Sequence, residues 1–318
     1  MKRVVISGAT SMLGIALIEE CLRHSIEVLA IAHRHSARLK RIPKSDSVRI
    51  IELDLEELAA FDPSIAHLRA EVFYHFAWSS TGRGADGADL RFDAELQSTN
   101  IQHTLDAVKL ARRFGCRKFF FAGSQAEYGS NARPLNRETP IKPTMAYGIA
   151  KYAAGRLAEI LCNKLGIDFI HARILSVYGI NDGAQTLISY LVRSYLANER
   201  PQLTAGEQLW DYLYAEDAAR CFRLLGASDK AHGVYCIGSG VVRPLREYIE
   251  IIHRLSGSTV ELIFGEKPYA PNQVMFLQAD ISDLHRDCGW EPSISFEDGI
   301  RRLIDQKKAS MSESTNTR

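Results

Sequence analysis

Across 318 residues, 46% hydrophobic and 24% charged, the chain carries enough apolar material for one large or two modest domains, which excludes a disordered or fibrous protein. Thirty-nine Lys and Arg against 38 Asp and Glu leave a net charge of +1, so neither nucleic acid nor an acidic membrane surface is an expected partner, although a local basic pocket stays open. Its six cysteines (Cys21, Cys116, Cys162, Cys221, Cys236 and Cys288) lie far apart with no C-x-x-C pair, which argues against a metal site and for buried thiols in a reducing compartment.

Residues 4–7 are a short β-branched run placed directly after Met1-Lys2-Arg3, so no secretory leader is expected. Nowhere do about eighteen apolar residues run together, so no membrane span and a cytoplasmic location are expected. The run leads into Gly8-Ala9-Thr10-Ser11-Met12-Leu13-Gly14 and then into residues 15–22, where Leu13, Leu17, Ile18 and Cys21 recur at helical spacing. Strand, glycine turn and helix in that order aim the helix N-terminus, with its free N–H groups and positive dipole end, at whatever lies over the turn. That suits a pyrophosphate.

Further strand patterns follow at 27–32, ending in His33-Arg34, at 48–53, ending in Asp54-Leu55, and at 71–77, which includes Phe76-Ala77. A polar loop (79–87) precedes a long helical pattern over about 90–113, which contains Asn100. Residues 118–122 read as a buried strand that delivers Gly123-Ser124 to the same edge. A Pro-, Asn- and Arg-rich loop precedes a helix running to about 165, and residues 167–172 supply a sixth strand. Six strands alternating with helices imply an α/β fold, a Rossmann-type doubly wound parallel sheet. Residues 1–178 are expected to form that unit, with a return segment near 210–240. Residues 179–308 are expected to form a smaller mixed α/β substrate domain, with a helix near 186–196, one strand over 210–214, and helix and strand pieces at 245–255, 260–264, 281–288 and 296–304. The Ser/Thr/Asn-rich tail 309–318 is expected to be disordered.

Tyr147 and Lys151 stand four apart in an Ala-rich helical segment, which puts phenol and ammonium on one face. A free phenol has a pKa of about 10, so it exchanges protons at neutral pH only if a neighbouring cation lowers that value. Lys151 is expected to do so.

Taken together the chain resembles the extended short-chain dehydrogenase/reductases, in the branch of nucleotide-sugar epimerases, dehydratases and ketoreductases. The resemblance runs through Gly8 to Gly14, Asp54, His75-Phe76-Ala77, Asn100, Ser124-x-x-x-Tyr128-Gly129, Tyr147-x-x-x-Lys151, Arg173-x-x-x-Val177-Tyr178-Gly179 and Tyr214-x-x-Asp217. It implies Ser124, Tyr147 and Lys151 as the catalytic set, Asn100 as a structural and proton-relay partner, and Asp54 near an adenine. The cofactor-binding set it implies is Gly8, Thr10, Ser11, Met12, Leu13, Gly14, His33, Arg34, Asp54, Leu55, Phe76, Ala77, Asn100, Tyr147, Lys151 and Ile174. Members of this type commonly dimerise through the helices near 90–113 and 145–165, so a homodimer is expected.

The departures discriminate among activities. Dehydratases of this branch carry Asp-Glu directly after the Ser/Thr, where this chain has Gln125-Ala126, so dehydration is not expected. Ala32 replaces the acid usual at the end of the second strand, and Arg34 follows; a cation without a carboxylate there favours NADP(H) over NAD(H). Ser11 replaces the middle glycine of the turn, and Ser176 an asparagine. The arginines that commonly hold a substrate diphosphate are missing from Leu209-Trp210-Asp211-Tyr212 and from Ala270-Pro271-Asn272-Gln273; Arg193, Arg243 and Lys267 are candidate replacements. Trp78, Gln125, Tyr178, Arg193 and Trp210 are candidate substrate contacts. His75 and His171 read as satisfied core or edge histidines. The expected activity is NAD(P)H-dependent reduction of a 4-keto-6-deoxy nucleotide sugar, with a nucleotide-sugar 4-epimerase as the alternative. A non-catalytic NADP sensor is a third reading, which Ser124, Tyr147 and Lys151 speak against.

Overall fold

The computed structural model describes residues 1–66, 68–84, 86–271 and 273–315. Strand β1 (Arg3–Ser7) runs through a turn into helix α1 (Met12–Arg23), and β2 (Glu27–Ala32), β3 (Val48–Glu52) and β4 (Val72–His75) follow. Helix α2 (Ala94–Arg113), β5 (Lys118–Ser124), α3 (Ala146–Leu165) and β6 (Asp168–Ile174) complete the first half. Ser11 caps α1 by accepting the Gly14 N–H at 3.0 Å, which explains why serine serves where a glycine is usual.

Beyond β6 come β7 (Ser176–Tyr178), α4 (Leu187–Leu196), β8 (Leu209–Trp210), β9 (Tyr212–Tyr214), α5 (Ala215–Ala227) and β10 (Gly233–Ile237). Then β11 (Arg243–Pro244), α6 (Leu245–Ser256), α7 (Ser282–Cys288) and α8 (Phe296–Thr315) end the described chain. One sheet of seven strands has the order β10-β6-β5-β4-β1-β2-β3, every pairing parallel. Strand order reverses between β1 and β4, the switch point at which such Rossmann sheets open a crevice.

Alternate residues of the strands go to opposite faces, and each face has its own core. Val4, Ile6, Tyr74 and Phe120 pack with α1 and α5, whereas Val5, Phe73, Phe119 and Phe121 pack with α2 and α3. Each such ring removed from water contributes roughly 1.5–3 kcal/mol, so the aromatic centre formed by β4 and β5 anchors the strand that ends at Ser124. A third core, with Tyr178, Leu191, Tyr214, Ile252 and Ile300, joins α4, α6 and α8 into a smaller C-terminal domain.

Three expectations are corrected. Residues 210–214 are two strands, not one: β8 pairs antiparallel with β11, and β9 pairs parallel with β7. The break is at Asp211, whose buried carboxylate accepts the N–H groups of Ser239, Gly240 and Ala279 and the Ser239 hydroxyl. Residues 260–264 hold no helix or strand; the Val260 carbonyl is bonded to the His253 ring instead. Residues 309–315, expected to be disordered, continue α8, in which Ser310 returns a hydrogen bond to the Gln306 carbonyl. Residues 316–318 lie outside the described residues.

Candidate active site

Ser124 ends β5 and begins a single tight turn, 125–127. Its hydroxyl accepts the Ala126 N–H (3.2 Å), and the Glu127 carboxylate returns to accept the Ser124 N–H (2.8 Å). Gly148, in the first turn of α3, lies so close to this turn that a Cβ there would come within 2.9 Å of the Ala126 carbonyl carbon. That approach brings the Tyr147 hydroxyl up to Ser124, whose side chain acts on the phenol. One helical turn on, the Lys151 ammonium donates to the Ala122 carbonyl (2.7 Å), lies over the Trp78 ring at 3.8 Å, and is 5.9 Å from the centre of the Tyr147 ring.

Trp78 is in turn placed by α2. Gln97 accepts the indole N–H (2.9 Å) and donates to the Ser80 and Leu90 carbonyls, while Asn100 accepts the Ser79 N–H (2.9 Å) and hydroxyl (3.1 Å). The Tyr147 ring then stands edge-on to Trp78 at 6.0 Å. Asn100 therefore pins the chain after β4 with its side chain, and its carbonyl accepts the Thr104 hydroxyl.

The electrostatics reverse one expectation. Burial pushes the Tyr147 phenol up to about 12, against the Ser124 hydrogen bond, which favours the phenolate. Burial likewise pulls the Lys151 ammonium down to about 7, against the Glu127 carboxylate, which favours the charged form. Lys151 thus does not lower the phenol: its ammonium is directed to a carbonyl and an indole face, and desolvation outweighs the helical spacing.

At the cofactor end the glycine turn fits a dinucleotide's phosphates. Gly8 has φ +72°, and a Cβ there would meet the Ala77 N at 2.7 Å; one at Gly14 would meet the Ala9 backbone at 2.9 Å. The turn thus lies against Phe76-Ala77 at the switch point, with Thr10, Ser11, Met12 and Leu13 half-buried along its rim. Further along the edge, Ala32 is buried and His33 exposed. Asp54 accepts the Arg34 N–H (2.9 Å), and Glu57 binds the Arg34 guanidinium through both carboxylate oxygens (3.0 and 2.8 Å). Leu55 is half-buried beside them, and Ile174 closes β6 next to Ser124.

Of the candidate substrate contacts, Trp78 lies at Tyr147 and Lys151, and Gln125 is half-buried directly after Ser124. Trp210 donates its indole N–H to the Ser176 hydroxyl (2.8 Å), so two departures from the family pattern form one contact. Arg193 donates to the Ala184 carbonyl, and Arg243 is paired with Glu297. Tyr178 is not at the site: it is 1% exposed in the C-terminal core, its hydroxyl donated to the Phe296 carbonyl. Its ring stands among those of Tyr212, Tyr214 and Phe296. Asn272 lies outside the described residues. His75 is bonded to Ser7 (2.7 Å) in the core, and burial holds it down to about 3. Among the described residues no cluster of His, Cys, Asp or Glu is arranged to hold a metal, and no helix is long and apolar enough to cross a membrane.

Three residues outside the expected set belong to this geometry: Gln97, Glu127 and Arg91, whose positive charge acts on Tyr147 from the segment before α2. Only Glu127 had a signal in the sequence, the Ser-x-x-Glu spacing of a capping box.

The profile of the NAD dependent epimerase/dehydratase family matches residues 4–238. The chain belongs to that family. Among its relatives, the UDP-glucuronate 4-epimerase of Thermodesulfobacterium geofontis is 24% identical over 320 residues, spanning 96% of this chain and 95% of that one. A dTDP-4-dehydro-6-deoxyglucose reductase of Escherichia coli is 26% identical over 196 residues, 60% of this chain and 61% of that one. The fold of this epimerase/dehydratase family member is similar to that of a UDP-N-acetylglucosamine 4-epimerase from Methanobrevibacter ruminantium (TM-score 0.86, 21% identity, 98% of this chain and 99% of that one).

Proposed function

We propose that this family member reduces the 4-keto group of a nucleotide-linked 4-keto-6-deoxy sugar, with NADP(H) favoured over NAD(H). The carrying observation is that the first turn of α3 packs on the Ser124 turn and so brings Tyr147 to Ser124, at a turn that has no carboxylate free for other chemistry. Gln125 and Ala126 offer neither the acid nor the base that eliminating water needs, and Glu127 is fully buried and bonded to Ser124, His171 and Arg173.

A bound nicotinamide supplies the hydride. As charge builds on the carbonyl oxygen, Tyr147 donates the proton and Ser124 the second hydrogen bond. A phenol held up to about 12 is protonated throughout the working range, which suits a donor. Lys151 holds the ribose hydroxyls, and the turn at Gly8 with the α1 N-terminus receives the pyrophosphate. Ala32 and Arg34 favour a 2′-phosphate, although Glu57 competes for the same guanidinium.

Nucleotide-sugar 4-epimerase is the second reading, favoured by the names of relatives such as the Thermodesulfobacterium protein. Incubation with NADPH and dTDP-4-keto-6-deoxyglucose, or separately with UDP-glucose, tests between them. Stoichiometric NADPH oxidation in the first is expected. Formation of a 4-epimer of UDP-glucose without net NADPH use would overturn the reductase reading.

We further propose a homodimer that pairs α2 and α3 with their copies. Ile149, Leu157 and Ile160 of α3 are 55%, 44% and 62% exposed and lie on one face of the helix. Ile160→Lys should convert the dimer to monomer, read by light scattering at micromolar concentration; a wild-type protein that is already monomeric there rejects the assignment.

A further inference from the structure

Beneath the turn at Ser124 lies a charged cluster that takes no part in the proposed hydride and proton transfers. Glu127 is 0% exposed, and both its oxygens are engaged: Oε1 accepts from the Ser124 N–H (2.8 Å) and is bonded to the His171 ring (3.0 Å), while Oε2 accepts from Arg173 Nε (2.7 Å). Arg173 is itself fixed, donating to the Tyr128 hydroxyl (2.8 Å), which donates to the Asn136 carbonyl (2.6 Å). The backbone is cleared to admit this cluster. A Cβ at Gly123 would stand 2.6 Å from Glu127 Oε1, and one at Gly155 would stand 2.6 Å from His171 Nδ1. Together with Gly148 against Ala126, three glycines on β5 and α3 leave the space that the carboxylate, the imidazole and the turn occupy.

A buried ion pair is weak as a stabiliser, since apolar residues of equal volume commonly do as well, so the cost of desolvating this one points to another role. Its position supplies one. The strand that Glu127 anchors at Ser124 also offers Lys151 its carbonyl partner, two residues earlier at Ala122. The groups that face the Lys151 ammonium are Tyr147 from α3, Trp78 and His75 from β4 and the loop after it, Phe121 from β5, and Glu127 from the turn. Arg91 faces Tyr147, and Arg173 and His171 face Glu127 from β6. Glu127 is the anion acting on Lys151 among these described groups.

We infer that Glu127 is a positioning residue, which holds Ser124 by its backbone and favours the cationic form of Lys151 through a fixed buried negative charge that Arg173 and His171 orient. The inference rests on the proposed roles of Ser124, Tyr147 and Lys151. That charge opposes the burial that drives the lysine towards neutrality. The inference also gives Arg173 a task at the site, although its guanidinium contacts none of the three.

The test reads Lys151 directly, in the full chain labelled with [ε-13C]lysine, the Lys151 resonance being assigned by its loss in Lys151→Met. Glu127→Gln keeps the shape and removes the charge; the titration midpoint of Lys151 should fall by about 1 pH unit. Arg173→Gln strips the cation from the carboxylate, and the midpoint should rise. Opposite displacements separate a charge effect from general loosening of the fold, which would move both variants the same way, and circular dichroism establishes that each variant folds. If Glu127→Gln does not fold, Arg173→Gln carries the test alone. A Lys151 midpoint unmoved in a folded variant overturns the inference. The readout needs no substrate, so turnover retained by Tyr147→Phe would remove the proposed reacting groups, whereas an unmoved midpoint removes only the role of Glu127.

Discussion

The two ends of the switch-point crevice are built on different physics. Around Ser124, Tyr147 and Lys151 the polar groups are buried and held by partners on rigid elements: a strand end, a helix one turn deep, and a loop pinned by Gln97 and Asn100. At Arg34, by contrast, the charges are exposed: its guanidinium pairs with Glu57, and its backbone N–H donates to Asp54. Burial makes each interaction at the first end strong and each change there costly, while solvent screening makes the second end tunable. On the proposed reading, the chemistry is set where the fold is least forgiving, and cofactor choice where substitution is cheap.

That contrast can be broken most forcefully at the buried end. Tyr147→Phe removes the proposed proton donor while keeping the ring against Trp78, and turnover should fall on the order of 100-fold or more with cofactor affinity retained. Near-normal turnover would show that the buried end does not carry the chemistry.

Lys151 gives the next effect, in stability. Its folded pKa, about 7, lies below the value of about 10.5 expected for the unfolded chain, so between the two the unfolded state holds more protons and stability rises with pH. The burial penalty is present in full below pH 7 and is relieved as pH increases. Urea melts of wild type and Lys151→Met should diverge between pH 7 and 9, wild type gaining by up to about 1.4 kcal/mol per pH unit. A constant difference would mean that the ammonium is not desolvated as the geometry implies.

The exposed end should answer more weakly. Because Glu57 already engages Arg34, preference for NADPH over NADH should be about 3- to 10-fold, and smaller at high salt. Arg34→Ala should remove most of it with NADH affinity nearly unchanged, and Glu57→Gln should raise it by releasing the guanidinium. Titration with both reduced cofactors reads each effect. Equal affinities in the wild type would defeat the NADP assignment and shift weight to the epimerase reading.

Periodicity alone determined most of the architecture, because an alternating strand and helix pattern leaves little choice of sheet, and the residues that end each strand come to one edge. The spacing of Tyr147 and Lys151, the Gly8 turn and Ser124 at a strand end are local properties that survive without knowledge of contacts. What the tertiary structure decided is everything that depends on burial or on residues distant in the chain. Tyr178 reads like a site residue but is turned into the C-terminal core, and Trp210 is tied to Ser176. Glu127 reads as a local cap, yet its other partners are 44 and 46 residues away, in β6. The expected lowering of the Tyr147 phenol by Lys151 fails for the same reason: spacing reports how near two groups lie along a helix, whereas desolvation is set by the strands and loops that close over them.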